Sequence, residues 1–193
     1  MFIKQSRLGG EHIVLEPLTE QHIEPLQLAV ADGESWRASY VNVPSPEQMA
    51  AYVGKAMNRA AEGDLAYAVR LKSSGTIVGS TRFYNVDPAN RRAMLGYTWY
   101  AQSVRRTAVN TECKLIMLEN LFASHATAVE FQIHSANQIS RRAVERLGAK
   151  LDGLLRNHKI MPDGSLRDSA VYSIIASEWP AVRANLLGRL GQM

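Results

Sequence analysis

The sequence predicts an α/β (α+β) fold: a mixed, mostly antiparallel central sheet flanked by helices. Three observations predict it. Strand-like runs at residues 65–71, 76–84 and 92–100 follow one another through short turns, which makes an antiparallel meander. From residue 108 the apolar spacing becomes helical, and helices then alternate with strands toward the C-terminus. The helical stretch 108–126 lies between two strand-like runs, and a crossover of that kind makes neighbouring strands parallel.

Each element has its own signal. Residues 12–17 read as a strand with alternating faces, stopped by Pro17. Thr19 and Glu20 start a helix carrying Ile23, Leu26 and Val30. Ser45 and Pro46 form an N-cap and first-turn pair, opening a helix to about Ala61 with Met49, Tyr52, Val53, Ala56 and Met57 on its apolar face. The meander turns fall at Ser73, Ser74 and Gly75, and at Asp87, Pro88, Ala89 and Asn90. Leu115, Leu118, Leu121 and Phe122 line one side of the next helix, which runs to about Ala126. Residues 129–134 form a strand, and 137–147 a helix ended by Gly148. Strands at 151–160 and 166–175 surround a turn at Pro162, Asp163 and Gly164, and a helix from Glu178 to about Leu190 follows.

Composition sets the class. A chain of 193 residues, 46% apolar and 21% charged, suits one globular domain over 1–193. The lone cysteine, Cys113, cannot form an internal disulfide, which fits a reducing compartment; in an apolar helix it reads as a core thiol rather than a nucleophile. Residues 1–10 lack the apolar core of a signal peptide, and no run approaches the ~20 apolar residues of a membrane span, so a cytoplasmic, non-membrane protein is expected. The net charge of +4 is spread over pairs, Arg91 with Arg92, Arg105 with Arg106 and Arg141 with Arg142, rather than one basic tract. That argues against nucleic acid as the partner. His12, His22, His125, His134 and His158 show no metal-ligand spacing, so no metal is expected.

The chemistry points to residues 102–112. Small and polar side chains gather where a helix begins, and this segment follows a strand of the meander. Open α/β sheets place ligands at such strand ends. The first helical turn offers free N–H groups and a partial positive charge, which suit a phosphate, and Arg105 and Arg106 add charge beside them. Taken alone, this remains an ordinary helix start.

Several motifs together resemble the GNAT superfamily of acetyl-CoA-dependent N-acetyltransferases. They resemble most its branch of ribosomal-protein N-terminal alanine or serine acetyltransferases. The matching stretches are residues 12–18 (His-Ile-Val-Leu-Glu-Pro-Leu), 96–100 (Gly-Tyr-Thr-Trp-Tyr), 105–114, 118–122, 137–149, 161–164, 167–169 and 171–173. The resemblance implies that acetyl-CoA is the cosubstrate and that its pyrophosphate motif, Arg/Gln-x-x-Gly-x-Gly/Ala, falls on Arg105, Ala108 and Asn110, with both glycines replaced. The Asn110 side chain can instead cap the helix or donate to a phosphate. A branch of the superfamily carries Asn-x-Glu-x-Lys there, matched by Asn110, Glu112 and Lys114.

On this resemblance, CoA lies against Tyr97, Thr98 and Trp99, against Arg105, Arg106, Ala108, Val109, Asn110 and Thr111, and against Asn137, Ser140 and Arg142. The backbone near Tyr97 to Trp99 would donate to the thioester oxygen. Relatives with a tyrosine acid carry it where this chain has Val144, so Ser140 is expected to protonate the leaving thiolate. Asn137 both caps its helix and bonds the cofactor arm. No histidine or carboxylate announces itself as the base: Glu130 and His134 lie on the strand that would flank the thioester and can face either toward it or away, Glu112 is read as structural, and Asp168 as bonding local backbone. The acceptor is a primary amine on a protein N-terminus, an amino acid or a small molecule, bordered by acidic residues such as Glu34 and Glu47, and acetylated directly in a ternary complex. A homodimer is in keeping with the family. The replaced glycines and missing tyrosine leave a second reading, a CoA-binding module without turnover.

Overall fold

Short turns force successive strands to run antiparallel, and one long helical crossover reverses that rule once. The computed structural model describes residues 2–37, 41, 43–161 and 163–192. It contains β1 (Leu8–Gly9), β2 (Ile13–Pro17), α1 (Ile23–Ala31), α2 (Met49–Asn58), β3 (Leu65–Leu71), β4 (Ile77–Asp87), β5 (Arg92–Tyr100), α3 (Ala108–Ala123), β6 (Ala128–His134), α4 (Gln138–Leu147), β7 (Lys150–Ile160), β8 (Leu166–Ile175) and α5 (Trp179–Leu190). The eight strands form one sheet in the order β1-β2-β3-β4-β5-β6-β8-β7. Every neighbouring pair is antiparallel except β5 and β6, which α3 joins in parallel.

The helices divide between the two faces. Tyr52 of α2 lies over Arg82 and approaches Ser80, whereas Lys114 of α3 bonds Thr98, which in turn bonds Thr81. Residues 80 and 82 point opposite to 81 in a strand, so α2 and α3 cover opposite faces. Phe122 of α3 stacks on Trp179 at the start of α5, which seats α5 beside α3. Covered on both sides, β2 buries Ile13, Val14 and Leu15 in succession, and its burial does not alternate. The buried carboxylate of Glu112 holds α3 against this strand, accepting the backbone N–H groups of Glu11, His12 and Ile13.

Several boundaries differ from the sequence reading for local reasons. The Ser45 hydroxyl donates to Glu47, and the Ser45 N–H donates to Gln48 Oε1, so residues 46–48 form a turn and α2 begins at Met49. Its last turn tightens to a 3-10 turn at Arg59–Glu62 and stops at Gly63, whose φ is 94°. A 3-10 turn, Glu20–His22, precedes α1. Strand β4 runs beyond Tyr84 to Asp87, whose carboxylate then caps the turn through the N–H of Asn90. Helix α3 ends at Ala123, before His125 adopts a φ of 59°. Met1 and Pro162, which figured in the terminal and hairpin readings, lie outside the described residues.

Candidate active site

Strands β5 and β6 pair only through Arg92, Ala93 and Met94, opposite Ala128, Val129 and Glu130. Beyond Met94 they separate. The cause is visible in the pairing of β5 with β4, where Ser80 faces Trp99 but Arg82 faces Gly96, so β5 carries one extra residue. That residue is Tyr97, at a φ of 49°. A non-glycine residue there costs about 1–3 kcal/mol and persists only where its surroundings enforce it. Here Tyr97 packs edge-on against Tyr84, with centroids 5.1 Å apart, and the Arg82 guanidinium lies 4.4 Å from its ring centroid. Gly96 gives Tyr84 its space, because a Cβ there would meet the Tyr84 ring at 2.9 Å. The bulge leaves the β6-facing edge of β5, from Leu95 to Tyr100, without a strand partner among the described residues.

The chain then turns through Gln102–Val104 into α3. Asp32, at the end of α1, anchors this turn: its carbonyl accepts the Gln102 N–H and its carboxylate the Ser103 N–H. The Ser103 bonds hold the Asp32 carboxyl below the usual range. Arg105 is tied back to Gln102 Oε1 at 3.2 Å and to the Tyr100 carbonyl at 3.4 Å. Arg106 is exposed, with a φ of 62°. The N-cap of α3 is Thr107, whose Oγ1 accepts the Val109 N–H at 3.4 Å. Asn110 is therefore not the cap. Its side chain is half-buried and makes no hydrogen bond among the described residues. Ala108 is also half-buried, whereas Val109 and Thr111 are buried, so the latter two can meet a ligand only through backbone.

The same limit holds for Trp99, which is buried in the sheet packing, while Tyr97 remains 38% exposed. The Thr98 hydroxyl faces the opposite side, where it receives the Lys114 ammonium at 2.8 Å and donates to the Gly96 carbonyl at 3.3 Å. Burial holds Lys114 below the usual lysine range and pushes the Cys113 thiol up, in keeping with a core thiol.

Across the gap, α4 starts just after β6. Asn137 Oδ1 accepts the Ser140 N–H at 3.0 Å, confirming Asn137 as the cap and leaving its amide donors free of partners among the described residues. Ser140 is half-buried and its hydroxyl is likewise unengaged. Arg142 is exposed, whereas Arg141 is spent on Tyr172 and the Ser135 carbonyl. On β6, Glu130 is paired with Arg92. His134 Nδ1 accepts the Ala136 N–H at 3.1 Å. Asp168 bonds local backbone, accepting the Asn157 N–H at 2.7 Å. Glu34 is engaged by Arg37, and Glu47 by Ser45.

The structure thus brings Tyr97, Thr98, Trp99, the α3 start and the α4 start to the splayed end of one strand pair. A shallow pocket of about 500 Å³, lined by Arg92, Glu130, Asp152, Val171, Ser173 and Ile175 among others, lies instead at the paired end. Sequence reading did not single out Arg82, Tyr84, His158 or Arg167 as individual site groups, although residues 167–169 form one of the motifs. The residues carry no spacing of their own, and only the register of β4, β7 and β8 assembles them.

Comparison with known proteins identifies the chemistry of this arrangement. The family model for the acetyltransferase (GNAT) domain matches residues 12–150. An acetyltransferase crystal structure from T. thermophilus aligns with a TM-score of 0.85 at 30% identity, covering 98% of this chain and 100% of that one. A GCN5-related N-acetyltransferase from Brucella melitensis aligns with a TM-score of 0.86 at 28% identity, covering 97% and 86%. Mycobacterium smegmatis RimJ in complex with CoA-disulfide shares the fold, with a TM-score of 0.79 at 20% identity over 95% and 94% of the two chains. No curated protein matches the chain. The chain therefore belongs to the GNAT family as an acetyl-CoA-dependent acetyltransferase.

Proposed function

We propose that the protein moves an acetyl group directly from acetyl-CoA to a primary amine in a ternary complex, without an acyl-enzyme. The observation that carries this reading is the parting of β5 from β6 after Met94, with the Tyr97 bulge turning β5 outward. The parting leaves a row of backbone groups on β5 for the pantetheine amides and a gap for the thioester. The pyrophosphate lies at the start of α3, beside the N–H groups of Ala108 and Asn110 and the charges of Arg105 and Arg106. Arg142 adds charge from α4. The amide donors of Asn137 meet the cofactor arm.

Chemistry in the gap needs three things. The thioester oxygen gains charge during attack, and backbone N–H groups at Tyr97 to Trp99 meet it. The thiolate leaves toward the N-terminal end of α4, where the helix dipole favours negative charge and the Ser140 hydroxyl donates a proton. The attacking amine must be neutral. His134 is poorly suited to accept its proton, because Nδ1 already receives the Ala136 N–H. His158 Nδ1 lies 2.9 Å from Ser169 Oγ; in the tautomer where Nδ1–H donates to that hydroxyl, Nε2 is an acceptor, and we assign the proton to it directly or through water.

The likeness to the fold of RimL, a ribosomal L7/L12 alpha-N-protein acetyltransferase, and to that of a ribosomal-protein-serine acetyltransferase favours a protein N-terminus among primary-amine acceptors. The test is release of CoA from acetyl-CoA across amino acids, amines and N-terminal peptides, for the wild type and S140A. Turnover with at least one amine, reduced more in kcat than in cofactor affinity by S140A, supports the reading. CoA binding with no release for any amine favours the non-catalytic module.

A further inference from the structure

Among the described residues, five charged side chains are buried: Asp64, Arg82, Glu112, Lys114 and Arg167. Four have partners. Arg59 bonds Asp64 at 2.8 Å, and Arg82 lies 3.7 Å from Asp64 and over two tyrosine rings. Glu112 holds three backbone N–H groups, and Lys114 bonds Thr98. Arg167 is 5% exposed, and among the described residues its guanidinium makes no ion pair, hydrogen bond or ring contact; its Nε is fully buried without an acceptor. A guanidinium left that way costs several kcal/mol unless something else meets it.

Its position says what could. Arg167 lies on β8 opposite Lys159, two residues before Ser169, which pairs with His134 at the free end of β6. Alternation puts residues 167 and 169 on the face opposite Tyr172, whose hydroxyl meets α4. That is the face of Arg82, Tyr84 and Tyr97. The Arg167 charge acts on the Tyr84 phenol, whose ring packs against Tyr97. Arg167 and Lys159 place positive charge around two histidines, with Asp168 opposing them at His134. Burial and Arg167 hold His134 below its usual range; burial, Lys159 and Arg167 do the same for His158. The carboxylates nearby are engaged, Glu130 by Arg92, Asp64 by Arg59 and Asp168 by the Asn157 N–H.

We infer that Arg167 is a specificity residue that receives a carboxylate of the acceptor, carried close to the reacting amine. The inference rests on the acetyl-transfer reading above and narrows its acceptor class: α-amino acids or acidic N-terminal peptides over uncharged amines and polyamines. A planar guanidinium takes both carboxylate oxygens in one plane, and that bond also orients the amine toward the thioester.

Matched acceptors test this. One pair is an α-amino acid and its amide; the other is an N-terminal peptide amide with Asp second and the same peptide with Asn. The first pair distinguishes an α-carboxylate, the second a side-chain carboxylate. Wild-type kcat/KM is expected to favour the acid in one pair by about tenfold or more, the scale of a charge-assisted hydrogen bond. R167Q brings that ratio near one without changing CoA affinity, and R167K retains part of it. Calorimetric binding of the same acceptors to the CoA complex should show the same preference, so a preference in binding without any CoA release would sink acetyl transfer and spare the subsite. R167M, which preserves the buried stem, should melt no lower than the wild type. Equal treatment of acids and amides by the wild type, a ratio surviving in R167Q, or a marked fall in the melting point of R167M would each overturn the inference.

Discussion

Replacing Lys114 by methionine isolates the energetics beneath the bulged strand. Lys114 is 6% exposed, and Nζ makes one hydrogen bond, to Thr98 Oγ1 at 2.8 Å, with no carboxylate in contact among the described residues. Methionine has nearly the same length, so packing is retained. Thr98 is not orphaned by the change, because its hydroxyl still meets Thr81 at 2.9 Å and the Gly96 carbonyl at 3.3 Å. The loss is one bond from a charged donor, about 1.5–3 kcal/mol. The gain is removal of a buried ammonium, whose penalty after relaxation is still several kcal/mol. K114M is therefore expected to be more stable than the wild type at pH 7, by about 1–3 kcal/mol.

The pH dependence supplies the sign. Burial lowers the Lys114 pKa in the folded state from its ordinary 10.5, so between the two values the unfolded chain binds more protons. Wild-type stability then rises with pH across that window, by up to about 1.4 kcal/mol per pH unit. K114M lacks this rise, so its advantage shrinks as the pH climbs toward 10.5. Urea unfolding of both proteins at several pH values between neutrality and that limit measures the difference. A variant less stable than the wild type by more than about 2 kcal/mol at every pH would refute the reasoning, since it would mean that the Thr98 bond outweighs the burial of the charge.

N137D separates capping from cofactor contact: its carboxylate still caps Ser140, so urea stability stays within about 0.5 kcal/mol of the wild type, while CoA affinity measured by calorimetry falls with the lost amide donors. N110D combined with R105A places a negative charge and removes a positive one at the start of α3; acetyl-CoA should bind at least tenfold weaker, about 1.4 kcal/mol, and unchanged affinity would move the pyrophosphate elsewhere. H158Q should lower kcat by roughly 10²-fold or more. In the wild type, kcat/KM should fall with acid as His158 takes up a proton below the ordinary 6.5, and this limb should vanish in H158Q if Nε2 is the proton acceptor.

Much of the fold was legible because its signals are local. Gly75 at the first hairpin and Gly148 after α4 both adopt the left-handed conformation their turns require, and Asn137 caps the helix it was expected to cap. The errors are also local. Ser45 spends its hydroxyl on a neighbouring carboxylate, and Thr107 takes the capping role open to Asn110, choices that depend on side-chain geometry rather than residue type. The site was only half legible. The start of α3 can be read from a run of small residues before a helix, whereas Tyr97 looks in sequence like any strand aromatic. Its bulge appears only when β4 and β5 are placed in register. Arg167 enters the sequence reading only as part of a motif, and its burial without a partner among the described residues appears only in the folded sheet.

The replaced glycines look different once the backbone is known. Glycine serves a phosphate loop in two ways, by adopting a positive φ and by letting the backbone approach closely. Among the described residues of the turn into α3, the positive φ falls on Arg106, and neither Ala108 nor Asn110 has one. Conformational freedom is therefore not what these two positions require. What remains is approach, and Ala108 adds a single methyl group to a half-buried position. Asn110 adds a larger group, but one that carries donors and is unengaged by the protein. On the proposed placement of the pyrophosphate, the departure from the glycine motif changes which atoms would meet it without closing the helix start to it. On the same proposal, the geometry that would prepare the gap for reaction lies elsewhere, in the bulge at Tyr97 and the cap at Asn137. An altered phosphate motif is on these grounds expected to change cofactor affinity more than turnover.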